Sequence, residues 1–186
     1  MLNFYRRFLP HAASSQDPFQ DVLSGLKDKG SHSVTRTNAF VSAFNECKAS
    51  LSRAALVAHP DPTAPIALVT DASTTAMGVV LQQRVQDVWQ TLAYFSRKLS
   101  PAQPKYSAQD RKLLAIYEAV RYFRHMPEAR HFTILTDHKP LTFTFHQKRH
   151  KCSPRQFNYL DVISQFNTDF CHISDQDNIV ADTFPG

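Results

Sequence analysis

Two stretches decide the fold: Ile66-Ala67-Leu68-Val69-Thr70-Asp71 and His131-Phe132-Thr133-Ile134-Leu135-Thr136-Asp137. Each is a short run rich in β-branched and apolar residues that ends in an aspartate. The first is continuously apolar, the pattern of a strand covered on both faces. A carboxylate at the end of a buried strand is costly unless its charge is compensated. Two such strands, each delivering one carboxylate to the same end of a sheet, mark that end as the place to look for chemistry.

Working outward, Met77–Val85 and Val88–Phe95 read as a hairpin turning at Asp87, and Thr168–Ile173 as a further strand. Ser107 stands as the cap of a long helix over Ala108–His125, with Leu113, Leu114, Ile116, Tyr117, Val120 and Phe123 at helical spacing and Pro127 beyond its end. A short helix follows Pro140. Ser153-Pro154, a cap residue followed by Pro at the first helical position, opens another whose inner face is Phe157, Leu160, Ile163 and Phe166. Asn178–Thr183 reads as the start of a last helix. From residue 66 the order is β-β-β-α-β-α-α-β-α, an α/β arrangement with five strands.

Ahead of this lies a helical extension. Leu2, Phe4, Tyr5, Phe8 and Leu9 cluster on a short helix ending at Pro10, and a second helix follows Pro18 with Phe19, Val22, Leu23 and Leu26 spaced for one face. Residues 30–36 read as a linker. Thr37 caps a third helix running to about Ala55, whose apolar stripe is Phe40, Val41, Phe44, Cys47 and Leu51.

Composition narrows the function. At 186 residues, 42% hydrophobic and 20% charged, the chain suits one domain with a real core plus an appendage. Only four glycines occur and none forms a phosphate-cradling loop. No apolar run approaches a membrane span. The three cysteines, Cys47, Cys152 and Cys171, have no zinc-site spacing and fit reduced thiols in an intracellular protein, cytoplasmic or nuclear. The net charge of +5 is concentrated in His146-Gln147-Lys148-Arg149-His150-Lys151, with Arg155 behind it. That loop is a solvated charged segment or a phosphate contact, phosphate being the dominant, salt-dependent term in nucleic-acid affinity.

Asp71, Asp137 and Asp182 are the candidate metal ligands. Taken singly, each is as readily a turn former or helix cap. Taken together in this element order, carboxylates without His or Cys suit hard cations, Mg²⁺ or Mn²⁺. Two such ions about 4 Å apart clamp both the attacking and leaving oxygens of a phosphodiester.

The chain resembles the end of the reverse transcriptase plus the RNase H region of gypsy-type LTR retrotransposon Pol polyproteins. The resemblance is carried by Asn3-Phe4-Tyr5-Arg6-Arg7-Phe8, Val69-Thr70-Asp71-Ala72-Ser73, Ala93-Tyr94-Phe95-Ser96-Arg97-Lys98-Leu99 and Tyr106-Ser107. It continues through Leu113-Leu114-Ala115-Ile116, Thr136-Asp137-His138-Lys139-Pro140-Leu141 and Asp177-Asn178-Ile179-Val180-Ala181-Asp182. It implies a ribonuclease H-like fold with a mixed five-stranded sheet flanked by helices. It assigns residues 1–33 to the tail of the polymerase thumb region and 34–186 to the connection/RNase H-like domain. The polymerase site is expected upstream; no Asp-Asp pair occurs here to supply it.

The resemblance also implies metal-dependent cutting of the RNA strand of an RNA–DNA hybrid by three Asp and one Glu, with the rest of a Pol polyprotein, polymerase and integrase, as partners. Asp71 would bridge both metals, and Asp137 and Asp182 would complete the set. The Glu ahead of Leu-Leu-Ala-Ile is replaced by Lys112. Exchanging an acid for a base changes the local charge by two units and sets an ammonium in competition with the metals.

No neighbour on the same helix face, Ala108, Gln109, Ala115 or Ile116, is acidic; Asp110 lies roughly 200° around the helix and Glu118 is off the face. Pro185 stops extension of the helix carrying Asp182. Ser73, with Lys148, Arg149, Lys151 and Arg155, is expected on the nucleic-acid surface, where small polar groups can reach 2′-hydroxyls, and Arg97, Lys98, Lys105 and Arg111 can add to it. His172 is either placed to assist product release or an ordinary strand histidine. The readings left open are an RNase H endonuclease with impaired catalysis, a non-catalytic nucleic-acid-binding or connection-type module, and a degenerate polyprotein fragment.

Overall fold

The structure is a computed structural model. It describes residues 6–9, 12–19, 36–53, 57–125, 130–144, 152–166 and 168–174. In chain order the helices are α1 (Ala12–Ser15), α2 (Asn38–Arg53), α3 (Ala108–Phe123), α4 (Lys139–Thr144) and α5 (Pro154–Ile163). The strands are β1 (Ile66–Ala72), β2 (Ala76–Val85), β3 (Val88–Lys98), β4 (Phe132–Thr136) and β5 (Thr168–His172), and two 3₁₀ turns cover Arg6–Phe8 and Gln103–Lys105.

The five strands form one mixed sheet in the order β3-β2-β1-β4-β5. The β1–β2 and β2–β3 pairs are antiparallel, whereas β1–β4 and β4–β5 are parallel. The β2–β3 turn places Gln86 and Asp87 at φ 50° and 62°, the left-handed pair that a two-residue hairpin requires, and Arg84 pairs with Asp87 at 3.1 Å. The parallel β1–β4 connection uses α3 as its crossover. Helix α3 therefore lies on the sheet, and Leu113, Ile116, Ala119, Val120 and Phe123 close one core with Ile66, Leu68, Val79, Leu81, Phe132 and Ile134. Burying side chains of this size contributes roughly 1.5–3 kcal/mol each. Residues Ile66–Thr70 are all buried, as the continuous apolar run requires.

Local signals operate where the sequence places them. Ser107 Oγ accepts the Asp110 N–H at 3.1 Å. Ser153 and Gln156 form a reciprocal capping box at the start of α5. Tyr117 and Tyr159 stack at 4.6 Å where α3 meets α5. The buried Gln83 side chain fixes the loop entering β1, accepting the Asp61 N–H at 2.8 Å and donating to the His59 carbonyl at 2.9 Å.

The helical extension differs from its sequence reading on α2. Of the expected α2 stripe Cys47 is buried and Phe40 and Leu51 are half-buried, whereas Val41 and Phe44 are 44% and 54% exposed and Ala43 is buried instead. Periodicity ranks Phe44 as inner, but the Cys47 thiol lies 3.6 Å from the Ser15 carbonyl, an approach that suits small side chains. Ahead of α2 the described residues form a short 3₁₀ turn over Arg6–Phe8, then α1, then a helical turn over residues 17–19. Leu9, Ala12 and Ala13 are buried, the Ala13 N–H donates to Ser96 Oγ of β3 at 2.9 Å, and Asp17 pairs with Lys98 at 3.0 Å. The segment is thus seated on β3. Leu2, Phe4, Tyr5, Val22, Leu23, Leu26 and the final helix over Asn178–Thr183 lie outside the described residues.

Candidate active site

The parallel register of β1 and β4 sets the site. Thr70 is opposite Thr136, so the next residue on each strand, Asp71 and Asp137, emerges at the same end of the sheet. Adjacent strands lie about 4.8 Å apart, which brings two like charges close together. Their side chains are only 21% and 19% exposed.

Helix α3 supplies the third group. Its start is fixed by the Ser107 cap and its register by the buried run Leu113-Leu114-Ala115-Ile116. The preceding residue, Lys112, points to the strand ends with its side chain 14% exposed. Its Nζ donates to Asp137 Oδ2 in a close ion pair and lies 3.7 Å from Asp71 Oδ1. One ammonium therefore bridges the two carboxylates.

The other acids of α3 are committed elsewhere. Asp110 Oδ1 accepts from Gln156 Nε2 at 2.7 Å, turning it toward α5. Glu118 pairs with Arg97 at 2.8 Å. Among the described residues neither groups with Asp71 and Asp137 into a set that could hold a metal ion.

Two histidines border the triad, which the motif reading missed or assigned otherwise. The His138 N–H donates to Thr136 Oγ1 at 3.2 Å, and its Nδ1 is buried without a hydrogen-bond partner. Burial, then the positive charge of Lys112, hold its pKa below the ordinary histidine value, against a smaller upward pull from Asp137. Both effects favour the neutral imidazole. His172 Nε2 lies 3.1 Å from the Asp137 carbonyl oxygen, tying the end of β5 to the site. Its position on the strand was legible; the contact was not, because it joins residues 35 apart.

The candidate nucleic-acid residues have mixed settings. Ser73 Oγ is 3.1 Å from the Thr75 and Ala76 backbone nitrogens, so it shapes the β1–β2 turn. Arg155 is exposed and its guanidinium lies 4.1 Å from the Tyr106 ring centre, a cation–π geometry. Arg97 and Lys98 are in the ion pairs already named, and Arg111 donates to the Tyr106 carbonyl at 2.6 Å. Asp182, Lys148, Arg149 and Lys151 lie outside the described residues.

The donor set can be tested against Mg²⁺ or Mn²⁺. Among the described residues no three His, Cys, Asp or Glu side chains group to hold a metal ion. Asp137 Oδ1 is buried without a hydrogen-bond partner, so one acceptor stays unused. Against it stands the Lys112 ammonium between the only two carboxylates that the described residues bring together at this end of the sheet. Two carboxylates bridged by a fixed positive charge do not fit a pair of divalent ions, which need both carboxylates free to coordinate.

A protein-family model for the RNase H-like domain found in reverse transcriptase matches residues 61–166. The chain belongs to this family. Relatives extend the likeness to nearly all of the chain. The Pol polyprotein of transposon 297 from Drosophila melanogaster is 31% identical over 98% of this chain, and that of transposon opus is 29% identical over 98%. The Tf2-3 polyprotein of Schizosaccharomyces pombe is 30% identical over 97%. The chain spans 19% of opus, 16% of 297 and 13% of Tf2-3.

Among solved structures, the foamy viral protease-reverse transcriptase in complex with an RNA/DNA hybrid superposes with a TM-score of 0.75 at 14% identity, covering 94% of this chain and 24% of that one. The N-terminal RNase H domain of a Mycobacterium tuberculosis protein gives 0.50 at 12% identity, covering 66% and 91%. These likenesses establish the RNase H-like fold of this family member. Among the described residues no helix is long and apolar enough to cross a membrane.

Proposed function

We propose that this chain is a reverse transcriptase RNase H-like domain of retroelement origin that engages RNA–DNA hybrid but whose hydrolytic centre is closed by Lys112. The observation that carries the reading is the bridging ammonium between Asp71 and Asp137. Hydrolysis of this family's type needs carboxylates free to hold Mg²⁺ or Mn²⁺, which would supply the activated water and stabilise the leaving oxygen. Here both acids are engaged by a cation that cannot coordinate water as a metal does. Asp182 would be the remaining acid of the set.

Binding has its own support. The chain is basic overall, with +5 net charge, and Arg155 presents a guanidinium ordered on Tyr106. Lys148, Arg149 and Lys151 would extend that surface, and Ser73 would contribute through the backbone of the turn it shapes. Residues 1–33 are read as the end of the polymerase region and 34–186 as the connection/RNase H-like domain. The seating of Leu9–Asp17 on β3 would then couple the two. The partners would be the remaining polymerase and integrase segments of a Pol polyprotein, inside the cell.

The test is to incubate the chain with an end-labelled RNA–DNA hybrid in Mn²⁺ and measure retention and cutting separately. Retention that weakens steeply with salt, together with cutting at least 100-fold below an active RNase H control, is the expected result. Cutting at the control's rate refutes the closed centre, and absent retention at low salt refutes the binding role.

A further inference from the structure

We infer that Lys112 is a tethered counter-cation: its ammonium takes over the charge-compensating role at the strand ends, so that the folded domain is held together there without any divalent metal. The inference rests on the reading of Asp71 and Asp137 as the acidic corner of this fold, and it concerns the folded state rather than the reaction.

The register of β1 and β4 forces two carboxylates together whether or not a metal is available. Both are four-fifths buried, so water screens their repulsion poorly. A positive charge at that point offsets the repulsion between the strand ends. Lys112 provides one from a rigid mount. The four residues that follow it on α3 are buried in the core, and Asp110 on the same helix is latched to Gln156 of α5. The backbone position of residue 112 is thereby fixed beside the strand ends.

The groups facing the ammonium are Asp71, Asp137 and His138. The compensation is a single fixed charge set between two acids. It joins three elements, α3, β1 and β4, at one point.

The experiment uses the whole chain. Thermal melts are recorded in chelator and in millimolar Mn²⁺, alongside titration of Mn²⁺ followed by loss of its free electron-spin resonance signal. The native chain should melt at the same temperature in both and leave the Mn²⁺ signal unchanged. Lys112→Met should melt about 4–8 °C lower in chelator, recover at least half of that loss in Mn²⁺, and reduce the free signal. Lys112→Arg, which keeps the charge, should stay blind to Mn²⁺.

A native chain that Mn²⁺ stabilises, or a Lys112→Met chain as stable as the native one, overturns the inference. If Lys112→Met does not fold in chelator, folding on addition of Mn²⁺ supports it. If it folds in neither, adding Asp71→Asn and Asp137→Asn should restore folding by removing the need for a cation, and failure to do so overturns it. The melts and the Mn²⁺ titration are read without nucleic acid, so a chain that fails to retain hybrid would refute the proposed binding role without deciding this point.

Discussion

Removing one hydroxyl from β3 tests whether the N-terminal segment belongs to the folding unit. Ser96 is 5% exposed and its Oγ accepts the Ala13 N–H at 2.9 Å, with Ala13 itself 2% exposed. Water has little access to either atom, so Ser96→Ala leaves a buried donor without its acceptor. Stranding such a group costs about 1–3 kcal/mol. In a chain of this length 1 kcal/mol moves the melting temperature by about 2–4 °C, so a central cost of about 2 kcal/mol lowers it by about 4–8 °C.

The nearby Lys98→Met breaks the pair with Asp17, whose partners are 44% and 34% exposed. A pair that open to solvent is worth at most about 1 kcal/mol, which makes it a control of small effect. Circular dichroism melts of the three chains measure both changes. A Ser96→Ala chain that melts with the native one, or no lower than Lys98→Met, refutes the seating of residues 9–17 on β3.

Other outcomes follow from the same geometry. Burial, then Glu46, push the Cys47 thiol pKa up, so maleimide in native buffer should label exposed Cys171 first and Cys47 last, with Cys47 reacting freely only in urea; equal rates for Cys47 and Cys171 would contradict the packing of α2. His138 has a folded pKa below its ordinary value of 6.5, so the unfolded chain takes up a proton that the folded chain resists. Stability should therefore be flat above about pH 7 and fall as pH drops below about 6.5, and His138→Gln should reduce that fall in urea midpoints measured at pH 7.5 and 5.5. An identical pH dependence in the variant would place His138 in water.

Much of the sheet was legible because its signals are local. The apolar run Ile66–Thr70, the caps at Ser107 and Ser153 and the turn at Asp87 each depend on residues within a few positions. The pairing of Asp71 with Asp137 could be anticipated from two strands ending alike, and Lys112 from its place beside Leu113 and Leu114.

What was not legible is long-range. Nothing near Ser96 says that it accepts from Ala13, 83 residues away. The stripe on α2 included Cys47, which is buried against the Ser15 backbone, but also Val41 and Phe44, which are exposed while Ala43 is buried. An aliphatic stem at position 112 could equally have carried its charge to solvent. That it turns inward to both acids depends on the exact docking of α3 on β1, which helical periodicity does not encode.

The most direct measurement of the central claim is hybrid cleavage by Lys112→Glu in Mn²⁺ beside the native chain. The substitution removes the bridging cation and supplies an acid on the same helix face. The native chain should be silent and Lys112→Glu should gain at least 100-fold, which corresponds to roughly 2.7 kcal/mol of barrier at 1.36 kcal/mol per tenfold. A folded Lys112→Glu chain that cuts no faster than the native one, or a native chain that already cuts as fast, would contradict it.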